Sequence, residues 1–209
     1  MLEELNQASQ SYVKIANQYV ELVEECASLE FIAINAGIAS KQANNDSFLK
    51  LSSEIQIMSN DVTESAHRGR EQSFVCLDET TKAYGELLSQ TRFYGLFARA
   101  KAQQEKMTPY VNHIAKAISE FDISILKRNT NQMSRSLDNL IQLVNIGKTM
   151  AIGGKIKAVY IAGSEEKFRI ITETMQESIE RLFMLLENIS VEFGIIKNLF
   201  NSIRNEEMG

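Results

Sequence analysis

Residues 31–55, FIAINAGIASKQANNDSFLKLSSEI, decide the fold. The first half spaces its residues as a helix does and is rich in small ones: Ala33, Ala36, Gly37, Ala39 and Ser40. Asn44 and Asn45 interrupt the pattern, and Phe48, Leu51 and Ile55 resume it. Such a break between two helical patterns predicts a hairpin of helices with a tight turn at Asn44, Asn45 and Asp46.

The arms on either side extend this reading. Leu5, Tyr12, Tyr19, Cys26 and Ala33 fall seven residues apart, with Ala8, Ile15, Leu22, Leu29 and Ala36 three residues behind them. An apolar a/d seam held over five heptads is the pattern of helices that pack by supercoiling. At the other end Phe168, Met175, Leu182, Ile189, Ile196 and Ile203 form a second seam, which Ile171, Leu185, Leu199, Ile179, Leu186, Phe193 and Phe200 widen. Ser178 and Glu192 interrupt it and are expected at its solvent edge.

Only one proline occurs in 209 residues, and there is no Trp. Proline lacks the donor that a helix interior requires, so its scarcity agrees with long helices. Residues 47–106 read as one helix whose polar middle, residues 64–72, is where it would unwind. Thr108 and Pro109 give a restart, Thr as N-cap and Pro at the first helical position. From there Val111, Ile114, Ile118, Phe121 and Ile125 lead through Leu137, Leu140 and Val144 to a ladder of Gly147, Ala151, Gly154 and Ala158. Gly163 and Ser164 supply a second tight turn. The expectation is four helices, 2–43, 47–106, 109–162 and 165–206. Together they make one all-α domain over 1–209: an elongated antiparallel four-helix bundle of two hairpins, 1–106 and 109–209, whose longer inner helices project at one end. The sequence at the second turn can be laid over the first, Ala151-Ile152-Gly153-Gly154-Lys155-Ile156 on Ala33-Ile34-Asn35-Ala36-Gly37-Ile38, which suggests an internal duplication.

The net charge of −5 disfavours nucleic acid, whose phosphates call for clustered Lys and Arg. No apolar run is long enough to span a membrane, and the opening MLEELNQASQ is too polar for a secretory signal. Cys26 and Cys76 stand fifty residues apart with no second pair, which suits reduced thiols in a cytoplasmic setting. No phosphate loop, HExxH or GxSxG motif occurs, and no cofactor is called for. Glu64 precedes His67 by three residues, but a two-metal carboxylate centre needs two such pairs and His113 has Tyr110 at that place, so no metal site is expected.

The 31–55 stretch resembles the cytoplasmic tip of bacterial chemoreceptors, the methyl-accepting chemotaxis proteins. Ile34-Asn35-Ala36-Gly37-Ile38, Ala43, Phe48 and Glu54-Ile55 follow the order of that tip, over about 25 of 209 residues. The resemblance implies a non-enzymatic signalling or scaffold protein acting through helix–helix contacts. Phe31, Asn35, Ile38, Phe48 and Leu51 would form the contact surface. The implied partners are a histidine kinase, its coupling adaptor, other receptors or a second copy of the chain. The sequence departs from the tip at Ala39, where the family has Glu, at Gln42, where it has Arg, and in a turn that is shorter and lacks glycine. Glu24-Glu25 is the nearest match to methyl-acceptor pairs and reads more simply as solvated charge.

Two further features stand apart. His113-Ile114-Ala115-Lys116-Ala117 resembles the helix of histidine phosphotransfer domains, with His113 as candidate phosphoacceptor and Ala117 in place of the usual glycine. His67 reads as a solvated surface residue. The run Arg92-Phe93-Tyr94-Gly95-Leu96-Phe97-Ala98-Arg99-Ala100-Lys101 mixes aromatics with positive charge, and the simpler expectation is that it closes the end of the bundle.

Overall fold

The computed structural model describes residues 1–101, 108–119, 121–159 and 165–205. They form five helices and no strand: α1 (Leu2–Gln42), α2 (Asp46–Lys101), α3 (Thr108–Ser119), α4 (Ser124–Ala158) and α5 (Glu165–Asn205). The protein is all-α. Among the described residues no helix is long and apolar enough to cross a membrane.

The first turn lies where the asparagines predict it, and its hydrogen bonds explain why. Asn44 takes the left-handed conformation, φ 51°, which asparagine tolerates better than most residues. Its N–H donates to the Lys41 carbonyl at 3.2 Å, and that of Asn45 donates to the Ser40 carbonyl at 2.9 Å. These are the two bonds of a Schellman cap, and they satisfy carbonyls that the end of α1 would leave open. Asn45 also begins α2, its Oδ1 accepting the Phe48 N–H at 2.9 Å. One residue therefore closes one helix and caps the next, and three residues suffice for the turn. The second turn, at Gly163 and Ser164, lies outside the described residues.

Helix α2 runs unbroken through residues 64–72. Gly69, in the middle of this polar stretch, lies against the ring of Tyr19 so closely that a Cβ would collide with it. The glycine that weakens the helix locally is what lets a buried tyrosine fit between α1 and α2.

The expected helix 109–162 is two helices. Residues 121–123 leave the helical path, and Asp122 holds the break: Oδ1 accepts the Ser124 N–H at 2.8 Å and Oδ2 the Ser124 hydroxyl at 2.9 Å. A short acidic side chain that binds backbone two residues on competes with the helix ladder. The break resets the helical phase. Ile125, expected inside, is exposed, while Ile123 and Leu126 are buried in its stead.

Contacts fix how the helices adjoin. Helix α1 packs on α2 and α5, α4 packs on those same two, and α3 touches α2 alone. Numbers rise along α1 as they fall along α2: Tyr19 meets Gly69, Ser59 Oγ donates to the Cys26 carbonyl at 2.7 Å, and Ser52 Oγ is next to Gly37. Along α4 the same reversal holds, with Gly147 beside Met58 and Ile179, and Gly154 beside Leu51 and Thr172. The small-residue ladder lies where it does because larger side chains would collide with these neighbours. A Cβ on Gly154 would stand 2.5 Å from Leu51 Cδ2.

Both predicted seams are buried along their full length. Their burial pattern is also shared between the two halves. Tyr12 and Thr130, 118 positions apart, meet across the core, their hydroxyl oxygens 2.5 Å apart. Thr130 donates to the Leu126 carbonyl, so the proton between the two hydroxyls comes from Tyr12. Every buried position of α4 lies that same distance beyond a buried position of α1, from Ala8 and Leu126 to Ser40 and Ala158. On the other two helices Phe48, Ser52, Ile55, Ser59 and Val62 are answered by Phe168, Thr172, Met175, Ile179 and Leu182, all buried. The rings of Phe48 and Phe168 touch, centroids 4.4 Å apart and planes at 60°.

Candidate functional site

The five residues expected to make a contact surface divide into two groups. Phe31 is 70% exposed and Ile38 52% exposed, with Asn35 exposed between them. They stand at i, i+4 and i+7 of α1, on one face of the helix, in its last turns before the Asn44 cap. Phe48 and Leu51 are buried, Phe48 against Phe168 and Leu51 against the position of Gly154. They offer no surface to a partner and instead hold the end of α2 in the core. Apolar spacing on α2 marks the buried face of an amphipathic helix, and from sequence alone that face looks the same whether a second hairpin or another protein covers it.

Ile34, on the same face as Phe31, Asn35 and Ile38, is also exposed. The second half of the chain carries a comparable face along α4 and its C-cap, with Ile152, Ile156 and Val159 exposed. The overlay of residues 151–156 on 33–38 contained this signal, because it matches Ile34 with Ile152 and Ile38 with Ile156. The backbones of α1 and α4 stay apart and the two helices meet only through core side chains such as Tyr12 and Thr130, so these two outward faces are separate surfaces.

Ser178 and Glu192 do not lie at a solvent edge. Both are buried where α5 meets α1. Lys14 Nζ stands 3.0 Å from Glu192 Oε1. The Ser178 hydroxyl donates to Glu25 Oε1, and Arg181 donates to the same oxygen at 2.9 Å. Burial raises the Glu25 pKa, but the hydrogen bonds from Arg181 and Ser178 and the Arg181 charge outweigh it, and the carboxyl is held below its ordinary range. Glu25 is therefore a tie between α1 and α5 rather than solvated charge, while Glu24 is exposed.

His113 and Lys116 are both exposed on α3, and Ala117 is half-buried. Their helix adjoins α2 only, so the four-helix host implied by the phosphotransfer resemblance does not surround His113. His67 is exposed, as expected. Cys26 and Cys76 are free and buried, and burial is the main cause that pushes each thiol up to about 11. Neutral thiols of this kind are poor nucleophiles. Cys76 Sγ lies 3.3 Å from Met133 Sδ, at the side of a cleft of about 200 Å³ also lined by Gln72, Val75, Asn129 and Gln132. Among the described residues no three His, Cys, Asp or Glu side chains are grouped to share a metal ion.

Compared with known proteins, the chain matches no family model, no curated protein and no solved structure.

Proposed function

We propose that the chain is a non-enzymatic signalling or scaffold protein of the bacterial cytoplasm. In this reading it is an antiparallel four-helix bundle of two hairpins, built on the plan of a chemoreceptor signalling tip. It acts by helix–helix contact through the outer face of α1 at Phe31, Ile34, Asn35 and Ile38. The observation that carries the reading is the pairing of that uncovered apolar face with a rigid, doubly capped turn a few residues away. Exposed apolar side chains grouped on one helix face are the common mark of a contact surface. A central Asn adds a polar group whose satisfaction by the partner would fix register. The shared burial pattern of the two halves supports an origin by duplication, in which one chain supplies both hairpins that a dimer of receptors supplies in pairs.

The partners proposed are a chemotaxis histidine kinase and its coupling adaptor. Purified protein mixed with both should co-sediment with them. Asn35→Arg places a charge in the contact and should weaken the association about thirtyfold, the loss typical of a central contact residue. No co-sedimentation, or an Asn35→Arg variant that binds as the parent does, would overturn the kinase-coupling version.

A further inference from the structure

The aromatic and basic run in α2 does not close the end of the helical core. The last buried side chain of α2 among the described residues is Leu87. Beyond it the helix continues to Lys101, about 20 Å at 1.5 Å per residue, and α3 packs on α2 alone. On this projection Phe93 is 51% exposed, Leu96 61% and Tyr110 60%. The rings of Phe93 and Phe97 stack at 6.4 Å and those of Phe97 and Tyr110 at 6.1 Å. The result is an aromatic ladder that crosses from one helix to the other with its two outer rings uncovered.

Charge indicates what covers it. The chain as a whole carries −5, yet residues 92–116 hold Arg92, Arg99, Lys101, Lys106 and Lys116 against one acid, Glu105. Arg92 and Arg99 stand one turn on either side of Leu96 on the same face of α2. Exposed Phe, Tyr and Leu bordered by Arg suit the boundary of an anionic bilayer, where rings enter the headgroup layer and guanidinium groups reach the phosphates. We propose that this end of the protein docks on an anionic lipid surface. Phe93, Leu96 and Tyr110 enter the interface, and Arg92 and Arg99 pair with lipid headgroups. The acidic remainder of the chain is repelled by the same surface, so contact is confined to the projection. A flat surface meets both helices of a projecting pair at once.

The test uses the whole protein with vesicles of phosphatidylcholine alone, or with about 30% phosphatidylserine, the anionic lipid that draws basic segments to a surface. Binding is expected to the second vesicles and not the first, and it should fall as salt is raised. The chain has no tryptophan, so Leu96→Trp gives a single reporter whose emission should shift to the blue on binding. Phe93→Ser with Leu96→Ser, and separately Arg92→Glu with Arg99→Glu, should each weaken binding more than tenfold, the first by removing apolar surface from the interface and the second by reversing charges that the anionic headgroups attract. These side chains are exposed, and unchanged circular dichroism would show that the variants fold. No vesicle binding, or binding that survives loss of Phe93 and Leu96, would overturn the proposal. Capture of an acidic protein through these residues without vesicle binding would do so too. Asn35→Arg should leave vesicle binding unchanged, so this result and that for the α1 face are read independently.

Discussion

Phe48→Ala tests whether the first-turn phenylalanine of α2 is a core residue or a contact for other proteins. The side chain is wholly buried and its ring lies 4.4 Å from that of Phe168, centroid to centroid. Removing a buried phenylalanine leaves a cavity and costs about 3–5 kcal/mol. About 1 kcal/mol of this belongs to the ring pair itself. For a chain of this length each kcal/mol lowers Tm by about 2–4 °C, so a fall of roughly 6–20 °C is expected. Urea unfolding followed by far-UV circular dichroism would measure the loss. The Phe168→Ala variant should lose a similar amount, and the double variant should lose less than the sum, by about 1 kcal/mol, because the pair can be broken only once. Phe31→Ala, at a residue 70% exposed, should stay within about 0.5 kcal/mol of the parent. A cost for Phe48→Ala below about 1 kcal/mol, or equal to that of Phe31→Ala, would refute the assignment of Phe48 to the core.

Two glycine substitutions should differ although both place a Cβ against a neighbour. Gly69→Ala meets the stiff buried ring of Tyr19, and overpacking of about 1–3 kcal/mol should exceed the roughly 1 kcal/mol gained from helix propensity. Gly147→Ala meets the thioether of Met58, which can swing aside, so its urea midpoint should stay near that of the parent; equal losses for the two would contradict this. The buried thiols predict a pH dependence. Cys26 and Cys76 ionise at about 11 in the fold, against an ordinary value of 9.0, because burial disfavours the thiolate. The unfolded chain therefore loses these protons first as pH rises. Their contribution is fully present below about pH 9 and lost between about 9 and 11, about 2–3 kcal/mol for each thiol. Replacing both with Ala should lessen the fall of the urea midpoint over that range, the remainder coming from Tyr12 and Tyr19, which burial also holds neutral, and an unchanged slope would contradict the buried neutral state of the thiols.

What could be read in advance was periodic. The seams from Leu5 to Ala36 and from Phe168 to Ile203 were legible because a heptad repeat has one physical meaning, a face withdrawn from water. Asn44 and Asn45 were legible because few residues accept the turn that they make. Single polar residues within apolar rows were not. Ser178 and Glu192 looked like an edge, yet each is buried at the α1–α5 contact, one bonded to Glu25 and the other to Lys14. Asp122 carried a signal, an acidic residue two before a serine inside a helical pattern, but the apolar spacing around it outweighed it. The candidate contact surface was half legible: the face of Phe31, Asn35 and Ile38 is exposed, and Phe48 and Leu51 are not.

The sequence by itself determined that the chain is helical, where α1 ends and α2 begins, and which apolar seams of α1 and α5 turn away from water. These follow from local rules: the 3.6-residue period, the conformations open to Asn and the exclusion of proline. Only the tertiary structure decided which partner each buried face meets and which apolar groups are left without one. Phe48 and Phe93 are both large aromatic residues in one helix. The first meets Phe168 and is sealed; the second lies beyond the reach of α1 and stays in water. The difference lies in where the other helices stop, a fact about the whole chain that no window of sequence around either residue contains.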